Sequence, residues 1–405
     1  MSFAGTVLCL LLLVSCRRHE TRGHESCPAG GGEDTCGPQR KSPQFLLYRV
    51  RAGEGFNLCR DVYMRMVEVA VFLRRKGMDV TLVLPEWGPL PHWTNDARNV
   101  NLSWSNFFDV VSLNLLTPVM EEADFIANIT PAPEVMQLRL NHFPDTFSHV
   151  DSVWRERYKI RDCHGNVRHP NDEEEDDPAS NCPCSSRQYP SMRSLCLFLD
   201  GTSLTLANVI EKNFGGHESL LILNADVVLH ENYGSAFFWQ IRLSMRFSKI
   251  LIQKGNSFRT KFLDSDDERD GTQMSSDWRR VQKQAGQATG GNYIALHWRR
   301  ADFAIYRKDV PSIQCTADQV IRIIQTAPGE GRRLFLATDA AEQEIEQLLE
   351  HLERAGIEVH IFEDNRTNPM PQGQKAIIDQ WICAHARLFI GNASFFLPML
   401  TFPLC

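Results

Sequence analysis

The apolar positions of the chain change period along its length. Residues 45–50 form an apolar run of strand length. After a loop containing Gly53 and Gly55, Leu58, Val62, Met66, Val69 and Leu73 recur at the spacing of one helix face. Gly77 stops that helix, and residues 80–84 supply a second β-branched strand that ends at Pro85. Strand, helix and strand in this order predict a βαβ unit with parallel pairing, the opening of a Rossmann-like domain. The apolar run 220–223 resumes that domain. Phe237, Ile241, Met245 and Ile252 then predict one helix that carries the chain toward a second domain, with the boundary near residue 250.

Beyond that point the alternation is more regular. It predicts a strand at 293–297, a helix from Thr316 with a capping pattern to Gln319, and a strand at 334–337. A helix through Leu348 and Leu352 closes at Gly356, and a strand at 359–362 follows. Ile377, Ile378, Trp381, Ile382 and His385 mark a last helix before a strand at 388–390 that ends at Gly391. The expected fold class is therefore α/β, with two Rossmann-like domains facing across a central cleft.

Polar stretches interrupt this pattern in three places. Residues 17–43, with Gly30, Gly31 and Gly32, read as a flexible lead-in. Residues 166–194 hold the acidic run 172–177 and read as a surface insertion, part of a segment at about 160–200. Residues 264–291 have the composition of a linker or mobile loop. Cys163, Cys182, Cys184 and Cys196 crowd around the insertion, which favours disulfides over a zinc site because the close pair is C-x-C and no histidine spacing matches.

With 405 residues, two domains are expected, here 44–250 and 251–405. The formal net charge of -7 argues against general attraction to nucleic acid or anionic membrane. The apolar run 7–14 is too short to span a bilayer and, with Arg17 and Arg18 behind it, fits a signal peptide over residues 1–16; a buried N-terminal strand is the alternative. Sequons at Asn101, Asn128, Asn365 and Asn392 would matter in a lumenal or secreted protein.

In parallel α/β sheets ligands sit beyond the carboxyl ends of the strands. The residues there are Gly53, Glu54, Gly55, Phe56 and Asn57, then His297, Trp298, Arg299 and Arg300, then Thr338 and Asp339, and the chain from Gly391 onward. Glycines on both sides of Glu54 would let a ligand approach the backbone, and Asn57 is placed as a helix N-cap. A carboxylate at Glu54 could take a proton from an attacking hydroxyl; the competing reading is a tight turn with an exposed glutamate. Arg299, at a strand end, could pair with a diphosphate, against a purely structural ion-pair role. Asp264-Ser265-Asp266 has the form of a metal-binding Asp-x-Asp, but it opens an acidic run that reads as a solvated face. Serine-hydrolase, P-loop and H-E-x-x-H motifs are absent from the sequence.

Several segments together resemble the protein O-fucosyltransferase family, and most closely its branch acting on thrombospondin repeats. They are Glu54-Gly55-Phe56-Asn57 with Arg60-Asp61-Val62-Tyr63, Val83-Leu84-Pro85 with Trp87-Gly88 ahead of His92-Trp93, and Asp302-Phe303. Ala337-Thr338-Asp339-Ala340 and the run from Ala376 through Asp379 and Trp381 to Arg387 complete the likeness, which covers about residues 45–391. The resemblance implies a GT-B fold and inverting transfer of fucose from GDP-fucose to Ser or Thr hydroxyls of folded thrombospondin type 1 repeats, in the endoplasmic reticulum lumen, with no metal or other cofactor required. It also implies Glu54 as catalytic base. Gly53, Gly55, Phe56 and Asn57 would form the donor loop, His297, Trp298 and Arg299 the second donor segment with Arg299 on the pyrophosphate, and Asp379 would read the guanine. After Gly391 the family continues with a Ser- and Thr-rich turn, whereas this chain has Phe395 and Phe396, so no donor role is carried onto them. Two other readings follow from these features: an enzyme acting on epidermal-growth-factor-like repeats, or a truncated, donor-deficient lumenal protein that binds folded repeats.

Overall fold

The computed structural model describes residues 44–51, 53–88, 90, 101–128, 135–147, 155–162, 192–281, 288–307, 310–326, 332–364, 367 and 369–391. The expected signal peptide and lead-in, Cys163, Cys182, Cys184, His92, Trp93, Asn365, Asn392, Phe395 and Phe396 lie outside these residues.

The first strand, β1 (Gln44–Tyr48), sends alternate side chains to opposite faces, as extended backbone must. Leu46 and Tyr48 enter the main core cluster, while Phe45 and Leu47 join a second cluster in which the Phe45 ring meets Phe125 at 5.1 Å. Both faces are thereby covered, the condition for a central parallel strand. Helix α1 (Phe56–Arg75) follows; its residues Val62, Met66, Val69 and Leu73 are buried, and Gly77 ends it at φ +84°. Strand β2 (Val80–Leu84) then pairs with β1 in parallel, as the spacing predicts.

The stretch up to residue 200 carries elements that the pattern did not reveal. They are α2 (Val110–Asn114), β3 (Val119–Glu121), α3 (Glu122–Asn128), β4 (Val135–Asn141), β5 (Arg157–Asp162) and β6 (Met192–Asp200). Strands β5 and β6 pair antiparallel and flank the insertion, so residues 192–194 belong to the sheet and not to a surface loop. Cys196 on β6 is disulfide-bonded. After α4 (Ser203–Phe214) and β7 (Ser219–Leu223) the first sheet is complete, in the order β3-β2-β1-β7-β4-β6-β5, parallel except at β5.

The predicted single helix through Phe237 and Ile252 is two helices, α5 (Ala236–Ser244) and α6 (Lys249–Phe262). The break is used for pairing. Backbone groups of Arg246 and Ser248 bond to Asp109 and Phe107, and Phe108 forms a bridge with Phe247. The stretch from 264 is not a loose linker over its described part. Ser265 and Asp270 are buried around the Arg259 guanidinium, which binds Asp267 at 2.7 Å and Asp270 at 3.2 Å.

The second sheet has the order β10-β9-β8-β11 and is parallel throughout. Its elements are β8 (Gly291–Trp298), α7 (Ala301–Tyr306), α8 (Ile313–Thr326), β9 (Arg333–Thr338), α9 (Glu342–Arg354), β10 (Glu358–His360), α10 (Gln372–Ala384) and β11 (Ala386–Gly391). Helix α8 starts before Thr316. Ser312 caps it by accepting from Cys315 N, and Thr316 instead donates back to the Ser312 carbonyl. Leu348, Leu352 and Val320 cover one sheet face, while Phe258, Ile377 and Ile378 cover the other and continue into the core of the first sheet. The observed class is α/β with two Rossmann-like sheets, as expected from the sequence.

Helices α6 and α10 approach at Gly255, where an added Cβ would lie 2.7 Å from the Trp381 ring, and Trp381 Nε1 donates to Asn256 Oδ1 at 2.7 Å. A Gly255→Val substitution is expected to cost about 1–3 kcal/mol through overpacking, read as a lowered melting temperature.

Candidate active site

In the first sheet the strand order reverses direction between β1 and β7, the point where open α/β sheets bind ligands. The loops leaving these strands are tied together there. Ala225 N donates to the Arg49 carbonyl at 2.9 Å, and the Arg49 side chain forms a buried ion pair with Glu122. Asp226 accepts from Arg51 N at 3.2 Å and pairs with Arg51 Nε at 3.0 Å, while Arg65 of α1 donates to the carbonyls of Asp226 and Val228.

Glu54 projects from this knot. Gly53 precedes it at φ +85°, a backbone conformation that a side chain would strain. Glu54 is half-buried, and loss of solvent raises its carboxyl pKa; the nearby Asp226 charge pushes the same way and Arg51 opposes it. Gly55 occupies the N-cap position of α1, without a side-chain cap. Asn57 is therefore not the cap but an exposed member of the first turn, its Oδ1 facing Arg60 at 3.5 Å. Packing sets this start: the Phe56 ring lies against Trp87 at 4.9 Å, Phe107 at 5.7 Å and Phe108 at 6.0 Å, anchoring the first helical residue.

In the second sheet the equivalent reversal lies between β8 and β11, and the segment after β8 leaves from that point. His297 is exposed at the strand end, yet partial withdrawal from water lowers its imidazole pKa; Asp339 opposes this and Arg299 reinforces it. Trp298 is buried, and its carbonyl accepts from Thr338 Oγ1 at 2.6 Å. Asp339 accepts from Arg300 N at 2.6 Å and Ala301 N at 3.3 Å, holding the entrance to α7. The two arginines then diverge. Arg300 pairs with Glu344, donates to the Pro311 carbonyl and lies over Trp298, whereas the Arg299 guanidinium lies over Phe303 at 5.6 Å. Arg300 thus has a structural ion-pair role.

Asp379 stands on α10. Burial lifts its carboxyl pKa to about 7, against the pull of Lys375. The amino end of its helix reaches the first sheet's side: Gln374 Nε2 donates to the Asn106 carbonyl at 3.2 Å, beside the aromatic residues that support Phe56. The sequence-derived residues therefore fall in three groups, one per loop and one on this connecting helix.

Asp264 and Asp266 both pair with Arg269, and Asp266 also accepts from the Glu268 and Arg269 amides, so the Asp-x-Asp is a surface ion-pair turn. Among the described residues no group of three or more His, Cys, Asp or Glu is placed to hold a metal ion. The sequence reading missed Arg51, Asp226 and Arg65. Asp226 follows the strand expected at 220–223, so the rule of strand carboxyl ends would have found it. Arg51 and Arg65 gave no such signal.

A family model described as GDP-fucose protein O-fucosyltransferase matches residues 45–395. The chain belongs to that family. It is similar to the GDP-fucose protein O-fucosyltransferase 2 of Caenorhabditis elegans, with 37% identity over 86% of this chain and 80% of that protein. It is also similar to the Homo sapiens protein of the same name, with 32% identity over 97% and 90%. Among solved structures, POFUT1 in complex with GDP-fucose aligns at a TM-score of 0.49 and 15% identity, over 86% of this chain and 91% of that one. As a member of the O-fucosyltransferase family the chain is a glycosyltransferase. None of the described helices is long and apolar enough to cross a membrane.

Because Arg300 is committed to Glu344, Pro311 and Trp298, Arg300→Ala is expected to cost about 1–2 kcal/mol of stability, seen as a lower melting temperature.

Proposed function

We propose that this protein transfers fucose from GDP-fucose to Ser or Thr hydroxyls of folded thrombospondin type 1 repeats, with inversion at the anomeric carbon, in the endoplasmic reticulum lumen. The observation that carries this reading is Glu54: a half-buried carboxylate whose pKa is raised by burial and by the charge of Asp226, following the positive-φ Gly53 in the loop at the strand-order reversal. Such a group is a better proton acceptor than an ordinary glutamate at neutral pH. Similarity to the nematode and human GDP-fucose protein O-fucosyltransferases 2 over most of their lengths supports the donor and a protein acceptor, while the repeat type rests on the motif resemblance.

In the reaction, Glu54 takes the proton of the acceptor hydroxyl as its oxygen attacks the anomeric carbon. The bond from that carbon to the diphosphate oxygen breaks, and GDP leaves with the electron pair. One displacement from the opposite side inverts the configuration. Arg299 would stabilise the charge gathering on the leaving diphosphate. Gly53, Gly55, Phe56 and Asn57 would shape the donor loop, and His297 and Trp298 would flank the donor at the second sheet. The Asp379 carboxylate, when ionised, would accept from guanine N–H groups. Asn101 and Asn128 are exposed, as glycan attachment in a lumenal protein would require.

Glu54→Gln is expected to lower transfer to a folded thrombospondin repeat by roughly 10²–10⁴-fold while retaining GDP binding. Arg299→Ala is expected to slow transfer by roughly 10²-fold or more and to weaken GDP binding. Transfer to epidermal-growth-factor-like repeats instead would overturn the acceptor assignment, and no GDP binding by folded wild-type protein would overturn catalysis.

The Asp379 environment adds a pH dependence. Its pKa of about 7 in the empty protein means that the carboxyl is increasingly protonated below that pH. Guanine donors favour the ionised form, so GDP affinity should fall as pH drops below about 7. Calorimetric titration of wild type should show this slope, and Asp379→Asn should remove it.

A further inference from the structure

Among the described residues, the buried arginines are paired with acids, with one exception. Arg49 meets Glu122, Arg259 meets Asp267 and Asp270, and the largely buried Arg65 meets Asp61. Arg60 is 3% exposed and has no carboxylate partner. Among the described residues its guanidinium lies over Phe56, Phe108 and Phe247 at 5.5, 5.9 and 5.8 Å, its Nε has no hydrogen-bond partner, and its one hydrogen bond is the 3.5 Å contact to Asn57 Oδ1. Burial, reinforced by the charge of another cation, Arg242, pushes the Arg60 pKa down to about 9.

A buried cation without an acid is costly, and cation–π contacts recover only part of that cost. The position of this unbalanced charge is informative. Arg60 sits one turn inside α1 and points back toward Asn57, beneath a helix N-terminus whose N-cap Gly55 has no side-chain bond and whose first turn holds no acid. Unsatisfied amides and the helix dipole already favour an anion there, and a fixed positive charge behind them adds to that field in a medium that screens poorly.

We infer that Arg60 is a positioning residue whose uncompensated charge, acting through the α1 N-terminus, binds the diphosphate of a nucleoside diphosphate at the Gly55–Asn57 turn. It does not touch the ligand; the rings of Phe56 and Phe108 stand against it. The anion supplies the counter-charge that the empty protein lacks. This rests on the donor reading given above and adds a second cationic element to it, on the opposite sheet from Arg299.

Calorimetry with GDP and with guanosine, on wild type, Arg60→Met and Arg60→Lys, tests the assignment, with melting temperatures of the empty proteins alongside. Arg60→Met is expected to weaken GDP by roughly ten-fold or more, to leave guanosine nearly unchanged, and to melt no lower than wild type; Arg60→Lys should regain most of the GDP affinity. Arg60→Gln, which keeps a donor for Asn57, carries the same comparison if Arg60→Met does not fold. Equal weakening of GDP and guanosine would mark Arg60 as merely structural, and unchanged GDP affinity in a folded neutral variant would overturn the inference. Absence of GDP binding in wild type would instead defeat the donor reading, so the two failures are distinguishable.

Discussion

Parallel pairing of β1 between β2 and β7 is the constraint on which the rest of the structure depends. A parallel strand needs a crossover to each neighbour, so the chain leaves β1 in a loop at its carboxyl end and returns through a helix. Because β2 lies on one side and β7 on the other, the loops after β1 and β7 part at the reversal and meet only through chosen bonds. The Arg51–Asp226 pair and the Ala225–Arg49 backbone bond are those bonds, and burial at this junction, with the Asp226 charge adding to it, raises the Glu54 pKa. The second sheet repeats the arrangement around β8, which places Arg299 at its own reversal.

Charge is distributed unevenly between framework and site. In the framework, cations are matched where they are buried: Arg259 is enclosed by Asp267, Asp270 and Ser265, and Arg300 is fixed by Glu344. Near the donor loops the matching loosens. Glu54 and Asp379 carry raised pKa values because burial outweighs the pull of Arg51 and of Lys375, and Arg60 has no acid partner among the described residues. Groups held away from their preferred ionisation by their surroundings gain most from a ligand that supplies the missing partner.

Much of this was legible in the sequence, and the reasons differ by element. The βαβ start and the strands around 293–297 and 334–337 were readable because a strand covered on both faces is a continuous apolar run. Strands β3, β4 and β6 were missed: β3 has three residues, and β4 and β6 mix polar residues into their sequences. The break between α5 and α6 was hidden because the apolar spacing continues across it, while its cause is a pairing with Phe107–Asp109 far away in the chain. Thr316 was misplaced as a cap because Ser312, four residues earlier, bonds to the helix start instead.

At the site, sequence alone placed Glu54, His297 and Arg299 at strand ends, since local periodicity fixes where strands stop and the chain's chemistry is written at those stops. It also identified the family, because motif residues must keep their order. Only the tertiary structure fixed Arg300 to Glu344, brought the charge of Asp226 to bear on Glu54, and left Arg60 buried with no acid partner among the described residues. These depend on which side chains from distant segments share a volume. Charge compensation acts through space over a few ångströms, and sequence separation carries no record of that distance.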